Sequence, residues 1–208
     1  SKAVGINNPG FGVSAISGDY DNDGDLDIYV TVINGRNQLY TNTGKGVFEE
    51  IADKAGVTHL NVGQGAAFVD YNNDGDLDIF ALDNNGAALY QNAGNNRFVD
   101  VTRVAGMNAT LGTGCVGTVW ADFDNDGDQD VYIARAKPVF GLFPDMLYRN
   151  NGDGTFTEIS KQAGVEALRV STGPTVGDYD NDGDLDLYVA CYNGQNLLYR
   201  NNGDGTFV

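Results

Sequence analysis

Four short stretches of this chain carry carboxylates at alternate positions. They are DYDNDGDLDIYV from Asp19, DYNNDGDLDIF from Asp70, DFDNDGDQDVYI from Asp122 and DYDNDGDLDLYV from Asp178. In the pattern D-x-D-x-D-G-x-x-D, alternate side chains of a tight loop face one centre. Side chains at positions one, three, five and nine, with the carbonyl of position seven, make an oxygen cage. Six to eight oxygens at about 2.3–2.6 Å are what calcium takes, and the glycine at position six permits the sharp turn. The candidate ligands of the first loop are Asp19, Asp21, Asp23 and Asp27, with the Asp25 carbonyl. The second offers Asp70, Asn72, Asp74 and Asp78, with Asp76. The third offers Asp122, Asp124, Asp126 and Asp130, with Asp128; the fourth offers Asp178, Asp180, Asp182 and Asp186, with Asp184. About four Ca2+ sites are expected. Magnesium is the poorer fit, because it prefers to retain several waters.

An EF-hand loop begins in the same way but needs Glu at position twelve on an exiting helix. The twelfth residues here are Val30, Ala81, Ile133 and Val189, each within an alternating, β-branched run that reads as a strand. The net charge of −17 supports the cation reading. Nineteen of the 29 Asp and Glu lie in these four loops, and clustered carboxylates repel unless a cation sits among them. An evenly acidic surface would only solubilise. The same charge argues against nucleic acid and anionic membranes as partners, since both select basic patches. No apolar run reaches the roughly 20 residues needed to cross a bilayer.

The loops are part of a longer repeat. Their first aspartates are 51, 52 and 56 residues apart. Each loop is followed by a second motif: LYTNTGKGVF, LYQNAGNNRF, and LYRNNGDGTF twice, with Tyr and Phe eight apart in every case (Tyr40/Phe48, Tyr90/Phe98, Tyr148/Phe156, Tyr199/Phe207). An Ala-Gly pair closes three of the units, at Ala55-Gly56, Ala105-Gly106 and Ala163-Gly164. Each unit reads as four short strands. Strand A is small and apolar, as in Gly65–Val69; strand B follows the acidic loop; strand C carries Leu-Tyr; strand D starts near the Phe. The Asn-Gly and Gly-Asp-Gly stretches between C and D supply the positive-φ residues of hairpin turns. A four-stranded antiparallel unit repeated at this period is the mark of a propeller blade, whereas solenoid units are usually shorter with fewer strands. The expected fold is an all-β propeller of four-stranded antiparallel blades, one repeat domain over 1–208. Its units span about 7–56, 57–106, 107–164 and 165–208, the last of them incomplete.

DYDNDGDLDIYV together with LYRNNGDGTF resembles the FG-GAP/VCBS repeat, found in integrin α-subunit propellers and in many secreted bacterial and cartilage-acidic-type proteins. The resemblance covers the whole chain. It implies a propeller, usually of seven blades, with calcium in the A–B loops, an extracellular setting, and roles in adhesion, recognition or surface assembly. Four units are fewer than that pattern has.

On this reading the protein is a secreted or cell-surface, non-enzymatic scaffold for a protein or glycan partner, or for other copies of itself. A cage filled by protein oxygens leaves little room for substrate, and millimolar extracellular calcium would keep it loaded. Two other classes stand beside it. One is a lectin-like module in which Tyr and Phe stack on sugars, although their strict recurrence favours core packing. The other is a secreted polysaccharide-active enzyme, for which the one histidine, His59, and the lack of a Ser/His/Asp or paired-Glu constellation give poor support. Asn108-Ala109-Thr110 matches a glycosylation sequon, as chance also would. Cys115 and Cys191 form no C-x-x-C pattern and read as free thiols or one disulfide. Unit three carries about five extra residues within Ala136–Asp145, where Phe140, Leu142 and Phe143 form either a partner contact or a loop folded on its own blade. No signal peptide or initiating Met is present, so the sequence reads as a mature or excised portion. Ser1–Ile6 (SKAVGI) resembles Ser160–Val165 (SKQAGV), which follows a strand D. The expectation is a segment of a longer array, or a subunit that associates with other copies, leaving Leu197–Arg200 as an edge. A four-bladed ring closed by the chain's own ends is the alternative.

Overall fold

Alternating apolar residues bounded by glycine- and asparagine-rich turns make short antiparallel strands, and in the computed structural model they do so four times over. The structure describes residues 4–7, 10–58, 60–61, 63–84, 86–107, 114–136, 143–192 and 194–208. The first blade contains β1 (Phe11–Gly18), β2 (Asp27–Ile33), a two-residue β3 (Gly35–Arg36), β4 (Gln38–Asn42) and β5 (Phe48–Glu50), and is followed by a helical turn, α1 (Ala52–Ala55). After β6 (Leu60–Asn61), which pairs with β3, the second blade is β7 (Gly63–Val69), β8 (Asp78–Asp83), β9 (Ala87–Asn92) and β10 (Phe98–Asp100). The third is β11 (Cys115–Ala121), β12 (Asp130–Arg135), β13 (Met146–Asn150) and β14 (Phe156–Glu158), followed by α2 (Ser160–Ala163). The fourth has β15 (Ser171–Gly177), β16 (Asp186–Cys191) and β17 (Leu197–Tyr199). Each full sheet is ordered A-B-C-D and is antiparallel throughout. The four strands expected per unit are therefore present in three. In the fourth, strand D is a single bridge, Asn201 to Phe207, with Arg200 and Val208 exchanging backbone hydrogen bonds.

The cores lie between blades. One contains Tyr20, Tyr29 and Leu39 of the first blade with Ile79, Tyr90 and Phe98 of the second. A second joins blades two and three through Phe80, Leu89, Ile133 and Phe156, and a third joins three and four through Phe123, Leu147, Val189 and Phe207. Each blade thus buries its apolar face only against a neighbour, as in a quasi-one-dimensional repeat stack. Strand A of each blade packs on the next: β1 on β7, β7 on β11, β11 on β15. Close approach needs small residues there. A Cβ on Gly117 would lie 2.8 Å from the Thr172 carbonyl oxygen of the following blade. No comparable packing joins β1 to β15. Among the described residues the four blades therefore do not close into a ring of their own.

Two of the Ala-Gly pairs, Ala55-Gly56 and Ala163-Gly164, are helix ends, and Ala105-Gly106 closes a hydrogen-bonded turn. Gly56 and Gly164 take left-handed φ of 84° and 81° as caps of α1 and α2. This turn also staples blades together: the Phe156 and Phe207 amides donate to the Ala105 and Ala163 carbonyls of the preceding unit. Gly5 occupies the corresponding seat before the first blade. A Cβ there would meet the Phe48 carbonyl oxygen, as one on Gly106 would meet that of Phe156. Ser1–Ala3, His59, Asn108, Phe140 and Leu142 lie outside the described residues. Phe143 is half-buried with the Arg135 guanidinium 4.8 Å from its ring centroid, so this part of the unit-three insertion lies against its own blade. Cys115 is buried and Cys191 half-buried, and both are free thiols.

Candidate metal centres

Each acidic loop is tied down by its ninth residue. The Asp27 carboxylate accepts the Tyr20 amide (3.2 Å) and the Asn42 amide (2.8 Å), fastening the loop to the end of strand C. Asp78 does the same with Tyr71 and Asn92, Asp130 with Phe123 and Asn150, and Asp186 with Tyr179 and Asn201. All four carboxylates are buried. Burial pushes Asp27 up to about 6 and Asp78 and Asp130 up to about 7, with nearby loop aspartates adding to the rise. The first residue shapes the turn. Asp19, Asp70, Asp122 and Asp178 each accept the amides four and five positions on. The fifth accepts the amide of the seventh, as Asp23 does from Asp25.

The third residue is different. Partial burial and the neighbouring carboxylates raise Asp21 and Asp124 above the usual carboxylate range. The Asp124 Oδ1 atom is buried with no hydrogen-bond partner. A buried unpaired carboxylate oxygen is costly, and one surrounded by other carboxylates fits a bound cation. Carboxylate oxygens of Asp19, Asp21 and Asp27 lie within 4.8 Å of one another, as do those of Asp122, Asp124 and Asp126, and those of Asp178, Asp180 and Asp186. This all-oxygen donor set fits a hard divalent cation. In the second loop Asn72 stands at position three, and its amide nitrogen donates to Asp74 Oδ2 at 2.8 Å.

Two sets of asparagines join these loops to neighbouring blades. At position four, Asn22, Asn73 and Asn125 adopt φ of 56–59° and donate to Asp76, Asp128 and Asp184 of the following loop, at 2.6–2.8 Å. Asn92, Asn150 and Asn201, at the end of Leu-Tyr-x-Asn, donate to the Tyr20, Tyr71 and Phe123 carbonyls of the preceding blade at 2.7–2.8 Å. A third device lies on the opposite face. Asn37 and Asn196 each accept a strand-B amide and donate to a strand-B tyrosine hydroxyl, Tyr29 and Tyr188. Asp145 takes this place in the third blade, accepting from Tyr132, Ser171 and the Arg135 amide. In the second blade Phe80 has no hydroxyl to bond and Ala87 replaces the asparagine. The pairing of Tyr with Asn or Asp, and of Phe with Ala, is the sequence signal that marks this device.

Among solved structures, the chain is similar in fold to BBS1N in complex with ARL6DN, at TM-score 0.57 and 13% identity over 96% of this chain and 57% of that one. It is also similar to an Agrocybe aegerita lectin that recognises non-reducing terminal N-acetylglucosamine, at TM-score 0.52 and 23% identity, covering 92% of this chain and 49% of the lectin. Cartilage acidic protein 1 from Homo sapiens is 31% identical over 170 residues, and that from Mus musculus 32%; each alignment covers 79% of this chain. The match covers 26% of either relative, so the chain spans about a quarter of their length. The FG-GAP-like repeat model matches residues 19–81, 70–133, 144–189 and 178–208. With its four acidic loops each set between strands A and B of a blade, the chain belongs to the FG-GAP-like repeat family.

Proposed function

We propose that the protein is an extracellular, calcium-loaded blade array that acts as a non-enzymatic scaffold for adhesion, recognition or assembly. The observation that carries this reading is the unpaired, buried Asp124 oxygen in a loop whose other carboxylates are occupied in shaping it. Bound calcium would supply the missing partner and offset the mutual repulsion of the carboxylates. The ninth-position aspartates hold the loop to strand C, and the position-four asparagines carry that order from loop to loop. Metal held by residues of the folded loop stabilises the fold by mass action. The test is a thermal melt in chelator and in calcium: a marked rise in Tm with calcium, and much less with magnesium, supports the role. Identical melts would remove it.

A second reading, glycan binding, draws on the fold likeness to the lectin and on clefts between blades. One such cleft is lined by Asn72, Gln91, Val104 and Asp153, polar groups around one apolar side chain. Binding to immobilised glycans would support it; no binding across a broad glycan panel would leave the scaffold role alone.

A further inference from the structure

The four acidic loops are not alike. Carboxylates converge to within 4.8 Å in the first, third and fourth, and each of those groups includes the aspartate at position three. The second loop has no such group among the described residues, and its position three is Asn72. There the Asn72 amide nitrogen donates to Asp74 Oδ2 at 2.8 Å, and its Oδ1 accepts the Asp74 amide at 3.3 Å. A loop with one carboxylate fewer, whose asparagine already occupies a candidate ligand oxygen, binds calcium more weakly on its own.

That loop is held from both sides. Asn22 of the first loop donates to Asp76 at 2.7 Å, and Asn73 of the second donates to Asp128 of the third at 2.6 Å. Each bridge joins two parts that a bound ion would fix. The donor sits at position four, between candidate ligands three and five, with φ of 58° and 56°. The acceptor sits at position seven, whose carbonyl is a candidate ligand. Its amide donates to the position-five carboxylate, Asp76 to Asp74 and Asp128 to Asp126. An ion in one loop therefore orders one end of a bridge, and the adjacent loop has less left to order when it binds. Bonds from an amide to a carboxylate are charge-assisted and stronger than neutral ones. Charge acts in the opposite sense, because a filled loop is less negative and attracts the next ion less. Salt screens that effect over roughly 8 Å at physiological ionic strength.

We propose that the second loop takes up calcium through its neighbours: once loops one and three are filled, the Asn22–Asp76 and Asn73–Asp128 bridges hold loop two in its binding form. Asn22 and Asp128 then act as positioning residues for a metal site to which neither contributes a ligand. By linkage the coupling is mutual, so an ion in loop two tightens loops one and three by the same factor. The row of loops fills over a narrower range of calcium than independent sites do. The proposal rests on the calcium reading above and adds to it an order of filling.

The experiment is a calcium titration of the chelator-stripped chain at physiological salt, followed by nuclear magnetic resonance at the position-six glycine amides. Gly24, Gly75, Gly127 and Gly183 each donate to the first aspartate of their own loop, so each reports one loop. In the native chain the Gly75 curve should be steeper than a single-site isotherm. Asn22→Gly keeps the left-handed backbone and removes one bridge. Asp128→Ala keeps the position-seven carbonyl and removes the other. Neither alters loop two, yet each should raise the Gly75 midpoint roughly tenfold, toward the low end of usual couplings between sites. Asn125→Gly cuts the bridge from loop three to Asp184, so it should move the Gly183 midpoint and leave that of Gly75. A Gly75 curve of single-site form that neither variant moves overturns the proposal while calcium binding stands. So does a Gly75 midpoint that Asn125→Gly moves as far as Asn22→Gly does. If no glycine shifts with calcium, the calcium reading itself falls, and this inference with it.

Discussion

Asn150 provides a measure of what holds one blade to another. Its side-chain nitrogen donates to the buried Tyr71 carbonyl of the preceding blade at 2.7 Å and to the Gln129 carbonyl at 3.3 Å, and its Oδ1 accepts the Gly152 amide at 3.1 Å. Replacement by Ala leaves the Tyr71 carbonyl buried without its cross-blade donor, a loss of roughly 1–3 kcal/mol, and removes two partly buried bonds of roughly 0.5–1.5 kcal/mol each. The sum is about 4 kcal/mol. Asn42 is the internal control: it makes the same two local bonds, to the Leu26 carbonyl and the Gly44 amide, both solvent-exposed, and among the described residues no cross-blade bond. Asn42→Ala should cost about 1 kcal/mol. The difference of about 3 kcal/mol corresponds to roughly 6–12 °C in Tm for a chain of this size. Urea and thermal unfolding of both variants give the comparison. Equal losses would refute the argument that the cross-blade hydrogen bond, and not the local turn, is what this asparagine supplies.

Asn72→Asp should lower the melting temperature in chelator, by removing the amide bond to Asp74 and adding repulsion, yet widen the shift that calcium produces; a titration in which the weakest binding step does not tighten contradicts this. Gly106→Ala should cost about 2–3 kcal/mol, because φ is +77° and the new Cβ would lie 2.9 Å from the Phe156 carbonyl oxygen, whereas Gly94→Ala, at φ +70° in open space, should cost about 1 kcal/mol in a denaturant melt. Asp145→Asn should gain on the wild type as pH rises. Burial raises the Asp145 pKa in the fold, so the folded state binds its proton more tightly than the unfolded chain does, and wild-type stability falls as pH climbs above the unfolded carboxylate value near 4. The Asn variant lacks that loss and can reproduce the Asn37 arrangement. Melts from pH 4 to 7 that run parallel for the two proteins would count against the buried-carboxylate argument.

The blades were legible because their signals are local. Strand B follows each acidic loop within the same dozen residues, and Asn-Gly or Gly-Asp-Gly marks each C–D hairpin. The loops were legible for the same reason, since all candidate ligands of one loop lie within nine positions. The Ala-Gly pairs were visible as punctuation but not as helix caps, because a four-residue helix has no periodicity to read. The asparagine bridges were missed since their partners lie 54–79 residues away, and an asparagine in a turn-rich motif already has a sufficient local explanation. Closure was undecidable from sequence because it depends on whether β1 meets β15, a contact with no local pattern.

The central claim is that the four loops hold calcium as part of the folded structure. Equilibrium dialysis of the chelator-stripped chain against calcium measures this directly. The account predicts about four bound ions per chain at millimolar free calcium, one for each loop. It also predicts that Asp124→Asn selectively weakens the third site, since it neutralises the carboxylate whose buried oxygen lacks a partner. A chain that binds no calcium at that concentration, or whose binding is the same with magnesium in its place, contradicts it.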